Sequence, residues 1–251
     1  METPDQRATS SSYAEKSALM HFPAHVRFWI PAALLLWLDL WSKWWAFTQL
    51  DSEQGFDAIP GFLELRRSLN DGAVFGSFTG YVSVFIVASL LALAFVFYLF
   101  AKSSRNQWGL QIALAMILSG AIGNLYDRAF VQADIVRFSE AKRARPSVIG
   151  TLVEPPSNGV IQIGDWPDAA NPRTFKAEDV TLHQQGVVRD FLKFTGKFPA
   201  SWPRVGGRDV WPWIFNVADA ALVCGVAFLM LHCLFDRKPR VEGERPESRS
   251  L

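Results

Sequence analysis

An aspartate inside a long apolar stretch is the residue of this sequence most suited to chemistry. Asp219 lies in the run 213–235, where no Lys or Arg stands within one helical turn on either side. If a helix begins near Trp213, Asp219 lies about 9 Å inside it, with Asn216 one turn nearer the end. An unpaired carboxylate there is costly, so we expect either a catalytic or ion-handling role, or a buried side chain hydrogen-bonded to hydroxyls or backbone.

Two further polar groups fall where an apolar environment is expected. Asp39 and Lys43 are spaced i, i+4, so they can neutralise each other on one helix face or position other groups. Asn124, Asp127 and Arg128 share a face at the end of another apolar run. A carboxylate tied to a guanidinium has a lowered pKa and is a poor proton shuttle, so an Asp127–Arg128 pair would be structural.

The remaining acidic candidate, Asp190, lies in a long polar stretch of the chain. Its segment, 187–192, reads by itself as an ordinary amphipathic segment with surface charges. Sequence spacing does not pair Asp190 with Asp219.

Four apolar stretches must position these residues. They cover residues 28–50, 81–101, 108–126 and 213–235, each close to the ~20 residues of a membrane-spanning helix, and Trp and Tyr crowd their ends as interfacial anchors do. Half of the chain is hydrophobic and 20% is charged. The net charge of +1 gives no indication of a nucleic-acid partner.

Basic residues predict the orientation of these stretches. They precede the first, join the second to the third, and follow the fourth: Lys16, Arg27, Lys102, Arg105, Arg237, Lys238 and Arg240. The positive-inside rule therefore places both tails, 1–27 and 236–251, in the cytoplasm. Residues 51–80 and 127–212 fall outside, although Arg66 and Arg67 count against this.

The outer segments carry local structure. Residues 63–66 alternate apolar and polar, and the runs 147–153 and 160–163 are typical of strands between turns at Pro155-Pro156 and Asn158-Gly159. We expect a small external subdomain, or a set of separate loops, between residues 129 and 212.

Five segments, in this order along the chain, together resemble lipoprotein signal peptidase, the signal peptidase II family. They are Asp39-Leu-Trp-Ser-Lys43-Trp-Trp-Ala; Asn70-Asp-Gly72-Ala-Val-Phe75; Gly120-Ala-Ile-Gly123-Asn124-Leu-Tyr-Asp127-Arg128; Val188-Arg-Asp190-Phe191; and Phe215-Asn216-Val-Ala218-Asp219. The resemblance covers residues 28–128 and 187–235.

The resemblance implies a fold: an all-α integral membrane protein with four transmembrane helices, a small external β-platform and an inserted external loop region. It implies an aspartyl endopeptidase of the bacterial inner membrane that cuts prolipoproteins before a diacylglyceryl-modified cysteine. Asp190 and Asp219 map onto the catalytic pair. The supporting positions are Asn70, Gly72, Asn124, Asp127, Arg128, Asn216 and Ala218, together with Asp39 and Lys43 of the first segment.

The chain departs from the family pattern in three places. A long insert separates Arg128 from Asp190, the interval from Asp190 to Asp219 is longer than usual, and Arg189 replaces a residue that is more often apolar. The insert leaves Asp134 as an alternative first catalytic aspartate. We prefer Asp190 because of the Phe-Leu-Lys-Phe that follows it.

Two aspartates brought close share a proton, so that one activates a water and the other polarises the scissile carbonyl. We expect no cofactor and no metal, since the four histidines are scattered. The expected partners are lipid-modified prolipoproteins and membrane lipids, and we expect a monomer. The alternatives are a non-enzymatic transporter or ion-handling protein that uses Asp39, Asp127 and Asp219 as a relay, and a catalytically silent scaffold.

Overall fold

The computed structural model describes residues 17–52, 54–72, 82–139 and 147–235. Its α-helices are α1 (Phe22–Gln49), α2 (Val82–Lys102), α3 (Trp108–Phe130) and α4 (Val217–Phe235). Most of the predicted cytoplasmic tails, together with the basic residues that follow the fourth apolar run, lie outside the described residues. The same holds for residues 53 and 73–80 of the predicted outer loop 51–80.

Two antiparallel sheets accompany the helices. The strands are β1 (Phe56–Ile59), β2 (Leu63–Asn70), β3 (Gln132–Phe138), β4 (Val148–Leu152), β5 (Val160–Asp165), β6 (Ala170–Lys176), β7 (Val180–Gly186), β8 (Val188–Phe194) and β9 (Ile214–Phe215). The first sheet, which we call the platform sheet, has the order β1-β2-β8-β9. The second, the insert sheet, has the order β6-β5-β4-β3-β7.

The expectation of an all-α protein with a loop insert is wrong. The polar segment between α3 and α4 forms β3 to β9, because its short apolar runs bury one face against each other. Val136, Ile161, Ile163 and Val180 make the core of the insert sheet, a set that spans separate strands and shows no long alternation in any one of them.

Three helices in the described part of the chain are long and apolar enough to cross a membrane, where four were predicted. They lie at Ser83–Lys102, Trp108–Phe130 and Val217–Phe235. The first predicted span does form a helix, α1, of 28 residues. Asp39, Lys43 and several tryptophans lower its hydropathy, and it is not among the three.

Helix α3 lies at the centre of the helical bundle and packs against the other three helices. Leu114 and Leu118 are buried in the shared core with Phe28 of α1 and Val96 of α2. Small residues let α4 approach closely, because a Cβ atom at Gly120 would overlap the carbonyl oxygen of Ala218.

The outer surfaces of the helices are apolar. Leu90, Leu91 and Phe95 on α2, and Val223 and Met230 on α4, are among the large hydrophobic side chains that are more than half exposed. Surfaces of this kind are rare on water-soluble monomers, and a lipid environment covers them without cost. The described helices therefore form a membrane protein.

The segment that forms the insert sheet begins and ends at neighbouring positions, next to the end of α3. After α3 ends, Val131 accepts a hydrogen bond from the backbone N–H of Val187, over 3.0 Å, where β7 passes into β8. There is no room for a side chain at Gly186, whose Cβ would overlap the carbonyl of Arg128. The long insert therefore does not carry β8 away from the end of α3.

Candidate active site

Asp219 lies in the first turn of α4, because the helix begins at Val217 rather than near Trp213. The Asn216 side chain accepts a hydrogen bond from Asp219 N over 2.9 Å, and Asp219 Oδ2 accepts one from Asn216 N over 3.2 Å. This reciprocal pair is a capping box, with aspartate in the place usually taken by glutamate. Asp219 Oδ1 accepts a third hydrogen bond, of 2.7 Å, from Asn124 Nδ2.

Asp190 stands on β8 and is almost fully buried, at 2% exposure. Asn70 of the neighbouring strand β2 donates to its Oδ2 over 3.1 Å, and Asn216 donates to its Oδ1 over 2.7 Å. Burial and the negative charge of Asp219 together raise the pKa of Asp190 to about 8, against the opposing effects of the two amides and of Lys43.

The two carboxyl groups line one cavity of about 470 Å³. Asn70 and Asp71 form part of its polar wall. A run of residues before α4, from Trp211 to Phe215, forms an aromatic wall. The charge of Asp219 acts on Asp190 in this cavity. Two carboxyl groups that interact in this way can share one proton.

A chain of buried charges lies behind the pair. Lys43 is fully buried and donates to Asp39 over 2.8 Å, and its ammonium lies 3.4 Å from Asp127. Asp127 pairs with Arg189, whose Nη2 lies 2.7 Å from its Oδ1, and not with Arg128 as the sequence suggested. The carboxylates of Asp39 and Asp127 are thus matched by the cations of Lys43 and Arg189. A buried charge is tolerated only when an opposite charge lies beside it.

Lys43 also joins these charges to the candidate pair. Its ammonium donates to Asn124 Oδ1 over 3.2 Å, and Asn216 Nδ2 donates to the same oxygen over 3.1 Å. With its Nδ2 bound to Asp219, Asn124 is therefore held in one orientation.

The other predicted supporting residues fall around this network. Arg128 donates to the carbonyl of Asn124 over 3.2 Å and lies within electrostatic range of both aspartates. Ala218 N donates to Asp39 Oδ1 over 2.8 Å, which ties α4 to α1. Gly72 has φ +95°, in the left-handed region that favours glycine, and its N–H closes a turn on Asn70 Oδ1 over 2.9 Å.

Asp134 does not line the cavity. It belongs to β3 of the insert sheet, where its Oδ2 accepts a hydrogen bond from Leu152 N over 2.8 Å. The residues that sequence reasoning missed are Arg189 as the partner of Asp127, and Trp211 and Trp213 of the aromatic wall. An Asn-x-x-Asp spacing at 216–219 was a readable signal for the start of α4.

The protein has helices that can cross a membrane, and two carboxyl groups line a cavity at their end. These features are those of a membrane enzyme. A family model described as signal peptidase (SPase) II matches residues 31–235. The chain therefore belongs to the signal peptidase II family, and it is a signal peptidase rather than an ion-handling protein or a scaffold.

Relatives agree with this assignment, and a solved structure shares the fold. The lipoprotein signal peptidase of Enterococcus faecalis is 30% identical over 219 residues, which is 87% of this chain and 94% of the relative. That of Desulfitobacterium hafniense is 28% identical over 183 residues, 72% of this chain and 76% of the relative. A bacterial membrane enzyme solved by the in meso method at 2.3 Å resolution shares the fold, with a TM-score of 0.56 and 20% identity, over 91% of this chain and 96% of that one.

Proposed function

We propose that the chain removes signal peptides from diacylglyceryl-modified bacterial prolipoproteins, cutting just before the lipidated cysteine. Asp190 and Asp219 carry the reaction, with a water as nucleophile. One observation carries the proposal: both carboxyl groups line the same cavity, and the pKa of Asp190, at about 8, is raised by burial and by the charge of Asp219. A raised pKa in one member of an acidic pair supports a division into acid and base.

The reaction follows from that division. The ionised carboxyl group takes a proton from the water, whose oxygen adds to the scissile carbonyl carbon. The protonated carboxyl group gives its proton to the carbonyl oxygen, which forms a tetrahedral gem-diol. As the C–N bond breaks, one carboxyl group gives a proton to the leaving amine and the other takes a proton back from a gem-diol hydroxyl, whose oxygen becomes the new carbonyl oxygen. The pair returns to its single-proton state, so no other reactant is consumed. Asn70, Asn124 and Asn216 hold the carboxyl oxygens in place through the hydrogen bonds given above.

The position of the pair suits a substrate held by its lipid. Asp219 lies in the first turn of α4 and Asp190 on the platform sheet at the same end of the bundle. Burying acyl chains is worth ~0.8 kcal/mol per CH₂, so the membrane itself concentrates the substrate at that depth. In this proposal the sheets lie at the outer face of the inner membrane, both termini are cytoplasmic, and the enzyme works as a monomer.

The test is an in vitro assay in which the purified full chain meets a lipidated prolipoprotein. The variants Asp190→Asn and Asp219→Asn each lose cleavage, by about 10³-fold or more, while the protein still accumulates in the membrane. An Asn side chain keeps the shape of the carboxyl group but can neither hold the shared proton nor accept one.

Asp134→Asn is the matched control, since it makes the same change on the insert sheet, outside the cavity. It should cleave at the wild-type rate, and EDTA should leave the wild-type rate unchanged. A dead Asp134 variant beside an active Asp190 variant would overturn the assignment, and strong loss with EDTA would indicate a metal enzyme.

A further inference from the structure

A second cavity, of about 240 Å³, adjoins the one that holds Asp190 and Asp219. The two cavities share four lining residues, Ser68 and Leu69 on β2 and Ser147 and Ile149 beside or on β4. They are therefore two parts of one cleft. The second cavity lies between the platform sheet and the insert sheet, and we call it the insert subsite.

Strand register places the insert subsite next to the reacting groups. Ser68 of β2 lies opposite Asp190 of β8. Between Leu65 and Ser68, β2 advances three residues while β8 advances two, which is a β-bulge. A bulge re-aims the side chains at its position, and here it contains Arg67, one residue from the strand position that faces Asp190. At about 3.3 Å per residue, Arg67 lies within reach of an extended peptide at the active site.

The insert subsite has an excess of positive charge. Arg67 donates to the carbonyls of Leu50 and Trp166, and its guanidinium lies 5.1 Å from the centroid of the Phe47 ring. These contacts hold the guanidinium in place but neutralise none of its charge. The other charges of the lining are Arg173 and Asp165, which pair with each other over 2.7 Å.

Asp165 does not neutralise Arg67, because its carboxylate is already held by three other residues. Its oxygens accept from Ser52 over 2.8 Å, from Asn171 over 3.0 Å and from Arg173. Burial acts to raise the pKa of Asp165, but these hydrogen bonds together lower it below the ordinary value. The carboxylate stays ionised and is paired with Arg173, so among the described residues that line the subsite the charge of Arg67 is not neutralised.

The two ends of the cleft therefore differ in chemistry. The end formed by Trp211 to Phe215 is aromatic, and the rings of Trp211 and Trp213 contact each other with centroids 5.1 Å apart. Six of the ten residues that line the insert subsite are polar or charged, namely three serines, two arginines and an aspartate, and the other four are Phe47, Leu69, Ile149 and Trp166. Acyl chains and an apolar signal peptide therefore fit the first end better than the second, where buried charges would lose their hydration. A polar peptide with a negative charge fits the second.

We propose that the insert subsite binds the start of the mature chain, the residues that follow the lipidated cysteine, and that Arg67 favours an acidic side chain there. The inference rests on the proposed function, since it takes the peptide bond at Asp190 and Asp219 as the one that is cut. An extended chain places the acidic residue at about the second to fourth position of the mature sequence. Arg67 is then a specificity-determining residue.

The experiment compares diacylglyceryl-modified peptides that differ at one of those positions, which is Asp, Asn or Lys. With the purified full chain, kcat/KM for the best aspartyl peptide should exceed that for its asparaginyl twin by about fivefold, as expected for a partly exposed ion pair. Arg67→Glu should reverse the order, so that the lysyl peptide is cut fastest. Raised ionic strength should weaken the wild-type preference.

Arg66→Glu is the matched control, because Arg66 is the exposed neighbour on the same strand and is not in the cavity. It should keep the wild-type preference. Ratios between peptides are measured with one enzyme preparation, so they do not depend on how much of a variant is folded. If Arg67→Glu does not accumulate, Arg67→Gln should abolish the preference.

The outcomes separate this inference from the proposed function. Cleavage of all peptides at one rate, or an acidic preference that survives loss of Arg67, would overturn the inference and leave the peptidase proposal standing. Failure of the wild-type protein to cut any lipidated peptide would overturn both.

Discussion

The side-chain amide of Asn216 donates to the carboxyl group of Asp190 over 2.7 Å. The same residue caps α4 by accepting from Asp219 N, and its own backbone N–H donates to Asp219 Oδ2. One side chain thus links the strand that carries the first aspartate to the helix that carries the second. Asn216 therefore helps to fix the position of each carboxyl group relative to the other.

Replacing Asn216 should therefore reduce catalysis more than binding. In Asn216→Ala the Asp190 oxygen loses a donor and α4 loses its cap, so the pair is misplaced and kcat should fall by about 10²-fold with a smaller change in KM. Steady-state cleavage of a lipidated peptide measures both constants. Asn106→Ala, at an exposed position in the connection between α2 and α3, is the control and should leave both unchanged.

The pH profile should reveal the raised pKa of Asp190. With this pKa at about 8, the pair holds its shared proton at neutral pH and loses it above about pH 8. Because the general acid is then lost, kcat/KM should fall about tenfold per pH unit on the alkaline side. An activity that stays level from pH 7 to pH 10 would contradict the assignment of the proton to this pair.

The same pKa has a consequence for stability. In the unfolded chain the Asp190 carboxyl group has a pKa of about 3.9, so between about pH 4 and pH 8 the folded state binds more protons than the unfolded state. The contribution of this carboxyl group to the stability of the folded state is fully present below about pH 4 and is lost as the pH rises to about 8. In Asp190→Asn, the melting temperature should fall less between pH 5 and pH 8 than in the wild type.

The buried Lys43 ammonium should be the charge whose loss costs most stability. It contacts Asp39 and Asp127 and is itself fully buried, so Lys43→Met leaves Asp39 without its cation and Asp127 with Arg189 alone. Removing one partner of a buried pair costs about 3–5 kcal/mol. Denaturant unfolding in detergent measures the loss, against Lys102→Met at an exposed helix end as control.

A second substitution separates charge from packing in that experiment. Asp39→Asn removes the carboxylate that Lys43→Met leaves unpaired, while its side-chain oxygen can still accept from Ala218 N. The double variant should therefore be more stable than Lys43→Met alone. A single variant that unfolds at the wild-type midpoint would show that the charge network contributes little.

The helices could be predicted because their apolar runs are long and local. The strands at Leu63–Asn70, Val148–Leu152 and Val160–Asp165 lie where short runs bounded by turn residues indicated them. The insert sheet as a whole could not be predicted, since its strand β6 (Ala170–Lys176) is almost entirely exposed and shows no apolar alternation. It is held as a strand by pairing with β5, a contact between segments that no local pattern contains.

The candidate site was predictable in its residues but not in its contacts. Asp190 and Asp219 come together because β8 pairs with β9, which directly precedes α4. The hydrogen bond between Val131 and Val187 also holds the start of β8 beside the end of α3. Neither pairing follows from spacing along the chain. The partner of Asp127 was also hidden, because Arg128 is adjacent in sequence whereas Arg189 reaches it only after the whole insert.

The insert sheet can be shortened at a point that the register identifies. β3 and β7 pair from Gln132 opposite Gly186 to Phe138 opposite Val180, and beyond them Ser139 N donates to the carbonyl of Asp179 over 2.9 Å. Two residues are enough to join such ends in a hairpin, and Asn-Gly is the favoured pair. Replacing residues 140–178 with Asn-Gly therefore keeps β3 and β7 and removes β4, β5 and β6.

The shortened chain should still cut lipidated prolipoproteins, because Asp190, Asp219 and the amides that hold them all lie outside the replaced residues. It should be less stable than the wild type, since Ile149 and Trp166 no longer cover Val131, Ala133 and Val187. Five lining residues of the insert subsite go with the sheet: Ser147, Ile149, Asp165, Trp166 and Arg173. Thermal unfolding measures the stability, and kcat/KM ratios between the aspartyl and asparaginyl peptides measure the subsite. A shortened enzyme that discriminates between those peptides as the wild type does would show that the insert contributes nothing to substrate choice.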